Sequence, residues 1–148
     1  DKLEMFSFTH PDKSRNEHEL FLAIQEAMMQ ELKLPYRALL LCIGDTPLDY
    51  AKQYDIETWL PGSGAYRETH STSNSTDYQA RRLGARVKLA SGETVFMHTV
   101  NGTAFAIGRA IIGILENYQD EEGGVVVPEA LRPYMPKNLN RIFRVYTK

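Results

Sequence analysis

The stretch Tyr66-Arg-Glu-Thr-His-Ser-Thr-Ser-Asn74, with Tyr78-Gln-Ala-Arg-Arg82 and His98-Thr-Val-Asn-Gly-Thr103 after it, decides how this chain is read. From Tyr66 to Ser73 there is almost no aliphatic residue. A strand of that composition has at least one face lining solvent or a cleft. Glu68 is a hard oxygen ligand suited to Mg²⁺, and Ser71 can add a hydroxyl oxygen. Strict alternation sets positions 68 and 71 on opposite faces. Both reach one ion only if a bulge or twist intervenes, a device common beside active sites. A solvated edge strand rich in Thr and Ser is the structural alternative.

Working outward, Tyr54 to Leu60 alternates, with Ile56 and Leu60 on one face and Asp55, Glu57 and Trp59 on the other. Pro61-Gly-Ser-Gly64 turns the chain back into Tyr66, which predicts a hairpin. The continuous apolar run Tyr36 to Ile43 predicts a central strand, with Cys42 a small core residue. Gly44-Asp-Thr-Pro47 punctuates it. Ser14 to Lys33 predicts a helix that Pro35 stops. Ser14 and Glu17 have the spacing of a capping box. Leu20, Phe21, Ile24, Ala27, Met28 and Leu32 recur at helical spacing as its buried face.

Leu3 to Phe8 predicts a strand in which Glu4 interrupts an apolar run. A carboxylate there pairs with a cation or accepts from a ligand ammonium group. Asp77 to Leu83 predicts a short helix capped by Ser75 or Thr76. Ala85–Leu89 and Thr94–Val100 form a hairpin around Ser91-Gly92, and Val125 to Val127 a short strand. Pro128, Pro133 and Pro136 mark a surface tail. Hairpin-linked strands with two long helices give an α+β fold, an antiparallel sheet flanked by helices.

Asn101 to Tyr118 predicts the second long helix. Its aliphatic face packs on protein, and Gly102, Phe105, Ala106, Arg109 and Gly113 share the other. A guanidinium on such a helix is costly unless paired. Its planar fork suits a phosphate or carboxylate, and a salt bridge to Glu57 is the structural alternative. Asn101 is either a helix N-cap or a group recognising polar atoms of a small substrate. His70 and His98 lack a second ligand at metal spacing. Arg81 and Arg82 read as short-helix salt-bridge formers or as contacts to RNA phosphate.

The 148 residues suffice for one domain with a real core. A net charge of −2 supplies no global basic field for nucleic acid. One cysteine excludes a disulfide framework and fits a reducing compartment, so a cytoplasmic location is expected. The longest apolar stretch is too short to span a bilayer.

The joint order of Leu3-Glu-Met-Phe6, Tyr54-Asp-Ile-Glu57, Tyr66-Arg-Glu68, Ser71-Thr-Ser-Asn74, Asp77-Tyr-Gln-Ala-Arg-Arg82, His98-Thr-Val-Asn-Gly-Thr103, Gly108-Arg109, Leu115-Glu-Asn-Tyr118 and Pro128-Glu-Ala-Leu-Arg-Pro-Tyr-Met135 resembles the seryl-tRNA synthetase family. That family belongs to the class II aminoacyl-tRNA synthetases, and the Gly102 to Asn117 helix looks like its motif 3. The resemblance implies serine activation with ATP to seryl-adenylate, then transfer to the 3′ end of tRNA(Ser). It implies Glu4 at the serine amino group, and Asn101 and Thr103 in serine recognition. It also implies Glu68 and Ser71 on Mg²⁺ with the ATP phosphates, and Arg109 on the γ-phosphate. Arg109 and Glu68 would be the catalytic groups.

Members often carry Ser and Cys where this chain has His70 and Thr72. The family's tRNA-binding arm, its dimer-forming motif 1 and its motif 2 all precede the match. Residues 1–148 are therefore expected to be the C-terminal segment of a catalytic domain from a longer, homodimeric protein, and to be inactive alone. A non-catalytic paralogue, or one charging a carrier protein, is the alternative that the resemblance leaves open.

Overall fold

The structure is a computed structural model and describes residues 1–143; the expected segment runs to Lys148, and 144–148 lie outside the described residues. Five strands form one antiparallel sheet: β1 (Lys2–Thr9), β2 (Tyr36–Leu40), β3 (Lys52–Leu60), β4 (Ala65–Thr76) and β7 (His98–Ala106), in the spatial order β1-β7-β4-β3-β2. Helix α1 (Ser14–Glu31) packs across β7 and β4, and α3 (Ile107–Asn117) packs against β3. Between β4 and β7 come α2 (Tyr78–Leu83) and a small hairpin of β5 (Arg86–Lys88) and β6 (Thr94–Phe96). Short strands β8 (Val125–Val126) and β9 (Arg141–Ile142) pair near the end, and a 3₁₀ turn over Glu129–Tyr134 lies between them. Among the described residues no helix is long and apolar enough to cross a membrane.

The antiparallel α+β architecture is as the sequence predicts, and several elements sit differently. The expected helix from Asn101 begins only at Ile107, because Asn101 to Ala106 continue β7. β7 pairs with β1 as far as Ala106 and with β4 as far as Gly102. Ladder hydrogen bonds on two sides outweigh a helical periodicity that the β-branched Thr99, Val100 and Thr103 support poorly. Asn101 is therefore not a helix cap, and Gly102, Phe105 and Ala106 share no helix face with Arg109. Thr94 to Val100 is likewise split, since Thr94–Phe96 pairs in the small hairpin and His98 opens β7 in the main sheet.

The apolar run from Tyr36 makes an edge strand, not a central one, and ends at Leu40. The chain then turns. Cys42 O accepts from the backbone N–H groups of Asp45 and Thr46, and the exposed Cys42 thiol donates to Asp45 Oδ2 at 3.3 Å. The polar strand from Tyr66 is the middle strand of the sheet, so the solvated-edge alternative does not hold.

Helix α1 buries Ser14, His18, Phe21, Gln25 and Met29, a stripe rotated from the expected one. Leu20 and Ile24 are exposed. Ser14 makes no capping bond. Its hydroxyl faces Pro11 O at 3.3 Å and His98 Nδ1 at 2.8 Å. Nor does Ser75 or Thr76 cap α2, whose N-cap is Asp77. The core gathers Met29, Leu32, Leu34 and Ile56, with Leu22, Tyr36, Phe105 and Ile114 packed against it. Each of the four buried side chains contributes about 1.5–3 kcal/mol by leaving water, and the partly buried ones less.

Candidate active site

The register gives the sheet two unlike faces. Glu57 lies opposite Glu68, and Ile56 lies opposite His70, so Thr69 is an extra residue in β4. That bulge reverses the alternation between Glu68 and His70. Ser71 pairs with Asp55, two residues from Glu57 on β3, so Glu68 and Ser71 share one face despite their spacing. Ser73 is on that face, and pairs with Asn101 of β7. Asn101 in turn pairs with Phe6, and Thr103 with Glu4 of β1. All five positions, Glu4, Glu68, Ser71, Asn101 and Thr103, thus project from the side of the sheet opposite α1.

The bulge is tied from behind. Thr69 Oγ1 donates to Ile56 O at 3.2 Å and lies 2.9 Å from Thr58 Oγ1 and 3.0 Å from His70 Nδ1. His70 is buried against the Phe105 ring, and burial pushes its pKa down to about 4, so it is neutral near pH 7. The close approach of β4 and β7 needs Gly102. A Cβ there would meet Thr72 Cβ and Oγ1 at 2.8 Å and Ser71 O at 3.0 Å.

Arg109 reaches the same region from the first turn of α3. Its Nη1 donates to Glu68 O at 3.0 Å and lies 3.3 Å from Glu68 Oε2, with both side chains about half exposed. The pairing with Glu57 goes to Arg37 instead, whose Nη2 is 2.6 Å from Glu57 Oε2. Guanidinium carries five donors, and both contacts to Glu68 are made by Nη1, so the Nε and Nη2 side is left for an anion. A cavity of about 440 Å³ is lined by Leu60, Arg67, Glu68, Thr69, Arg109 and Ile112. Another, of about 1000 Å³, lies between the start of α1 and residues 41–51, away from these groups. The smaller one joins Arg109 to the bulged strand at Glu68 and Thr69, and Glu4, Ser71, Asn101 and Thr103 are not among its lining residues.

At the other end of the face, Thr103 Oγ1 points toward Glu4 Oε2 at 3.5 Å, and Lys2 Nζ is 2.9 Å from the same oxygen. Asn101 Oδ1 is buried without a hydrogen-bond partner among the described residues. Such an orphaned acceptor is costly unless a ligand satisfies it. Asp55, for which the sequence predicts only a place on the face of its strand, lies beside Ser71 on β3, on the side of β4 away from β7. Burial, aided by the charges of Glu68 and Glu57, holds its carboxyl above the usual range, against the Gln53 hydrogen bond. Its signal was the register partner of Ser71, visible only once the bulge is known.

Among the described residues no three His, Cys, Asp or Glu side chains converge as a metal cage. One carboxylate and one hydroxyl on a shared face nevertheless suit Mg²⁺, which takes few protein ligands and fills its shell from phosphate and water. Arg81 pairs with Asp77 within α2, and Arg82 donates to Tyr78 O.

An antiparallel sheet with helices on one side and a polar face carrying this set of groups defines a class II synthetase core. A family model described as the tRNA synthetase class II core domain (G, H, P, S and T) matches residues 1–118, and the chain belongs to that family. Within it, the chain is similar to serine–tRNA ligases. It is 51% identical over 135 residues to that of Bdellovibrio bacteriovorus, covering 91% of this chain and 31% of the relative. The Nitratidesulfovibrio vulgaris relative is 52% identical, with 90% and 32% covered. Among solved structures, the seryl-tRNA synthetase of Pyrococcus horikoshii complexed with ATP superposes with a TM-score of 0.92 at 42% identity, covering 98% of this chain and 32% of that one. The cytoplasmic serine–tRNA ligase of Naegleria fowleri in complex with AMP gives 0.87 at 40% identity, with 95% and 33% covered. The chain therefore spans about a third of the length of these relatives.

Proposed function

We propose that these residues form the C-terminal part of the active site of a serine–tRNA ligase, which activates serine with ATP and passes it to tRNA(Ser). The observation that carries the reading is the Thr69 bulge, which sets Glu68 and Ser71 on the same open face as Asn101, Thr103 and Glu4, with Arg109 beside Glu68.

In the proposed reaction a serine carboxylate oxygen attacks the α-phosphorus of ATP. A new P–O bond forms, the bond to the bridging oxygen breaks, and pyrophosphate leaves with that electron pair. Arg109 turns from Glu68 to the γ-phosphate, where a planar fork neutralises charge on the leaving group. Glu4 receives the serine ammonium group. Asn101 Oδ1 and Thr103 Oγ1 hold the small polar substrate, and the orphaned Asn101 acceptor gains the partner it lacks. Glu68 and Ser71 would hold Mg²⁺, which supplies charge neutralisation on the phosphates. No side-chain nucleophile is required, because the chemistry rests on positioning and electrostatics.

Since the chain spans about a third of its relatives, the proposal assigns the tRNA-binding arm, the dimer contacts and the α-phosphate arginine to other parts of a longer, homodimeric cytoplasmic protein. These residues alone then neither activate serine efficiently nor select tRNA(Ser). The test is amino-acid-dependent exchange of pyrophosphate into ATP by the protein in its full natural length, with serine, threonine and alanine compared. A signal with serine alone is expected. No signal from the folded protein with ATP and Mg²⁺ would sink the reading.

A further inference from the structure

Gln25 is fully buried in the middle of α1, on a stripe that also carries Phe21 and Met29. A primary amide in such a place is costly unless bonded. Its Nε2 donates to Ser71 O at 2.9 Å and to Thr103 O at 2.8 Å. Both partners are carbonyl oxygens and can only accept, so the nitrogen, with its two N–H groups, must be the end that faces them. One nitrogen therefore holds the backbones of β4 and β7 together from behind the sheet.

The place where it does so matters. The β4–β7 ladder ends at the pair Thr72 with Gly102. Ser71 and Thr103 are the next residues outward, beyond the last paired position. On the open face they are the ends of two separate groups. Ser71 belongs with Glu68 and Arg109, while Thr103 belongs with Glu4 and Asn101. Past Gly102, β4 is paired only with β3 and β7 only with β1. The Gln25 amide spans the gap where those two strand pairs part.

We infer that Gln25 is a positioning residue that sets the spacing between the phosphate-side group and the amino-acid-side group of the site. The inference rests on the serine-activation reading above. Gln25 touches neither substrate. Each half-site keeps its own side chains without it, and what is lost is their relative alignment, on which in-line attack depends.

The test uses the full-length protein with Gln25→Met, which keeps length and removes both donors, and Gln25→Lys, which keeps N–H donors at similar reach. Binding of ATP alone and of serine alone is measured by calorimetry, and kcat by pyrophosphate exchange. Misplacement of reacting groups costs on the order of 10- to 100-fold in rate. The expected result is a kcat loss of that size in Gln25→Met, with each separate affinity changed less than about threefold, and recovery of most of the rate in Gln25→Lys.

A Gln25→Met kcat within about twofold of the unmodified protein overturns the inference, as does loss of rate only in step with both affinities and melting temperature. If Gln25→Met does not fold, Gln25→Lys decides. A near-normal rate supports the clamp, and a lost rate or failure to fold overturns it. Absence of serine-dependent exchange in the unmodified protein is a different failure. It removes the functional reading itself and this inference with it.

Discussion

The two faces of the sheet come from the same strands and do opposite things. On the face under α1 and α3, Ile56, Thr58, Thr72, Val100 and His70 are buried, and their polar atoms bond mostly inward to backbone or to one another. On the open face, Glu4, Asp55, Glu57 and Glu68 crowd carboxylates beside Arg37 and Arg109. The first arrangement ties most of its polar groups to backbone and holds the sheet in one register, although His18 Nδ1, Gln25 Oε1 and His70 Nε2 are buried there without hydrogen-bond partners among the described residues. The second crowds like charges on exposed or half-exposed side chains, which has no structural benefit. The contrast locates stability behind the sheet and recognition in front of it. β4 serves both, because the Thr69 bulge is tied on one side and aims Glu68 and Ser71 on the other.

This division is open to direct attack. The largest effect is expected on the open face. Arg109→Ala in the full-length protein should lower serine-dependent pyrophosphate exchange by about 10²–10³-fold, the usual size for removing a donor aimed at developing charge. Its melting temperature should hardly move, since the Arg109–Glu68 contact is half exposed and such pairs are worth about 0–1 kcal/mol. A large melting shift with unchanged exchange would reverse the roles assigned to the two faces.

At the seam between β4 and β7, Gly102→Ala should show both kinds of damage. Its Cβ would press on Thr72 and on Ser71 O. Urea denaturation should report a loss of about 1–3 kcal/mol, typical of an overfilled site. Exchange should fall as well, because Ser71 and Asn101 must move apart.

The smallest effect at neutral pH belongs behind the sheet. His70 has an ordinary value of 6.5 and a folded value pushed down to about 4 by burial. The unfolded chain therefore binds a proton first as pH falls. Stability is fully present above about 6.5, declines as pH drops below it, and stops changing on this account near 4. Burial lowers His18 and His98 in the same direction. Melting temperatures taken from pH 7 to pH 4 should fall less steeply in His70→Leu than in the parent. Equal slopes would show that His70 is not buried neutral.

Much of this was legible in the residues, and the failures have physical causes. The hairpin from Tyr54 through Pro61-Gly-Ser-Gly64 to Ser73 could be read because alternation and turn chemistry agree there. The need for a bulge between Glu68 and Ser71 could be stated from spacing alone. That Thr69 supplies it could not, since it depends on contacts with Ile56 and Thr58 on another strand. The stretch from Asn101 to Ala106 was misread because a local apolar period says nothing about partners on two sides. The α1 stripe was misread because His18 and Gln25 look like surface residues until the carbonyls of Thr72, Ser71 and Thr103 appear above them.

By itself the sequence determined the α+β class, the order of most elements and the identity of the groups offered for chemistry, because alternation, turn residues and side-chain type are local properties. Tertiary structure alone decided which strands are central, where β7 gives way to α3, that Glu4, Glu68, Ser71, Asn101 and Thr103 project from one side of the sheet, and that Arg109 reaches Glu68 from α3. Those outcomes depend on register between strands distant in the chain. A single extra residue in β4 inverts every side chain beyond it, and only the strand lying opposite records that it is there.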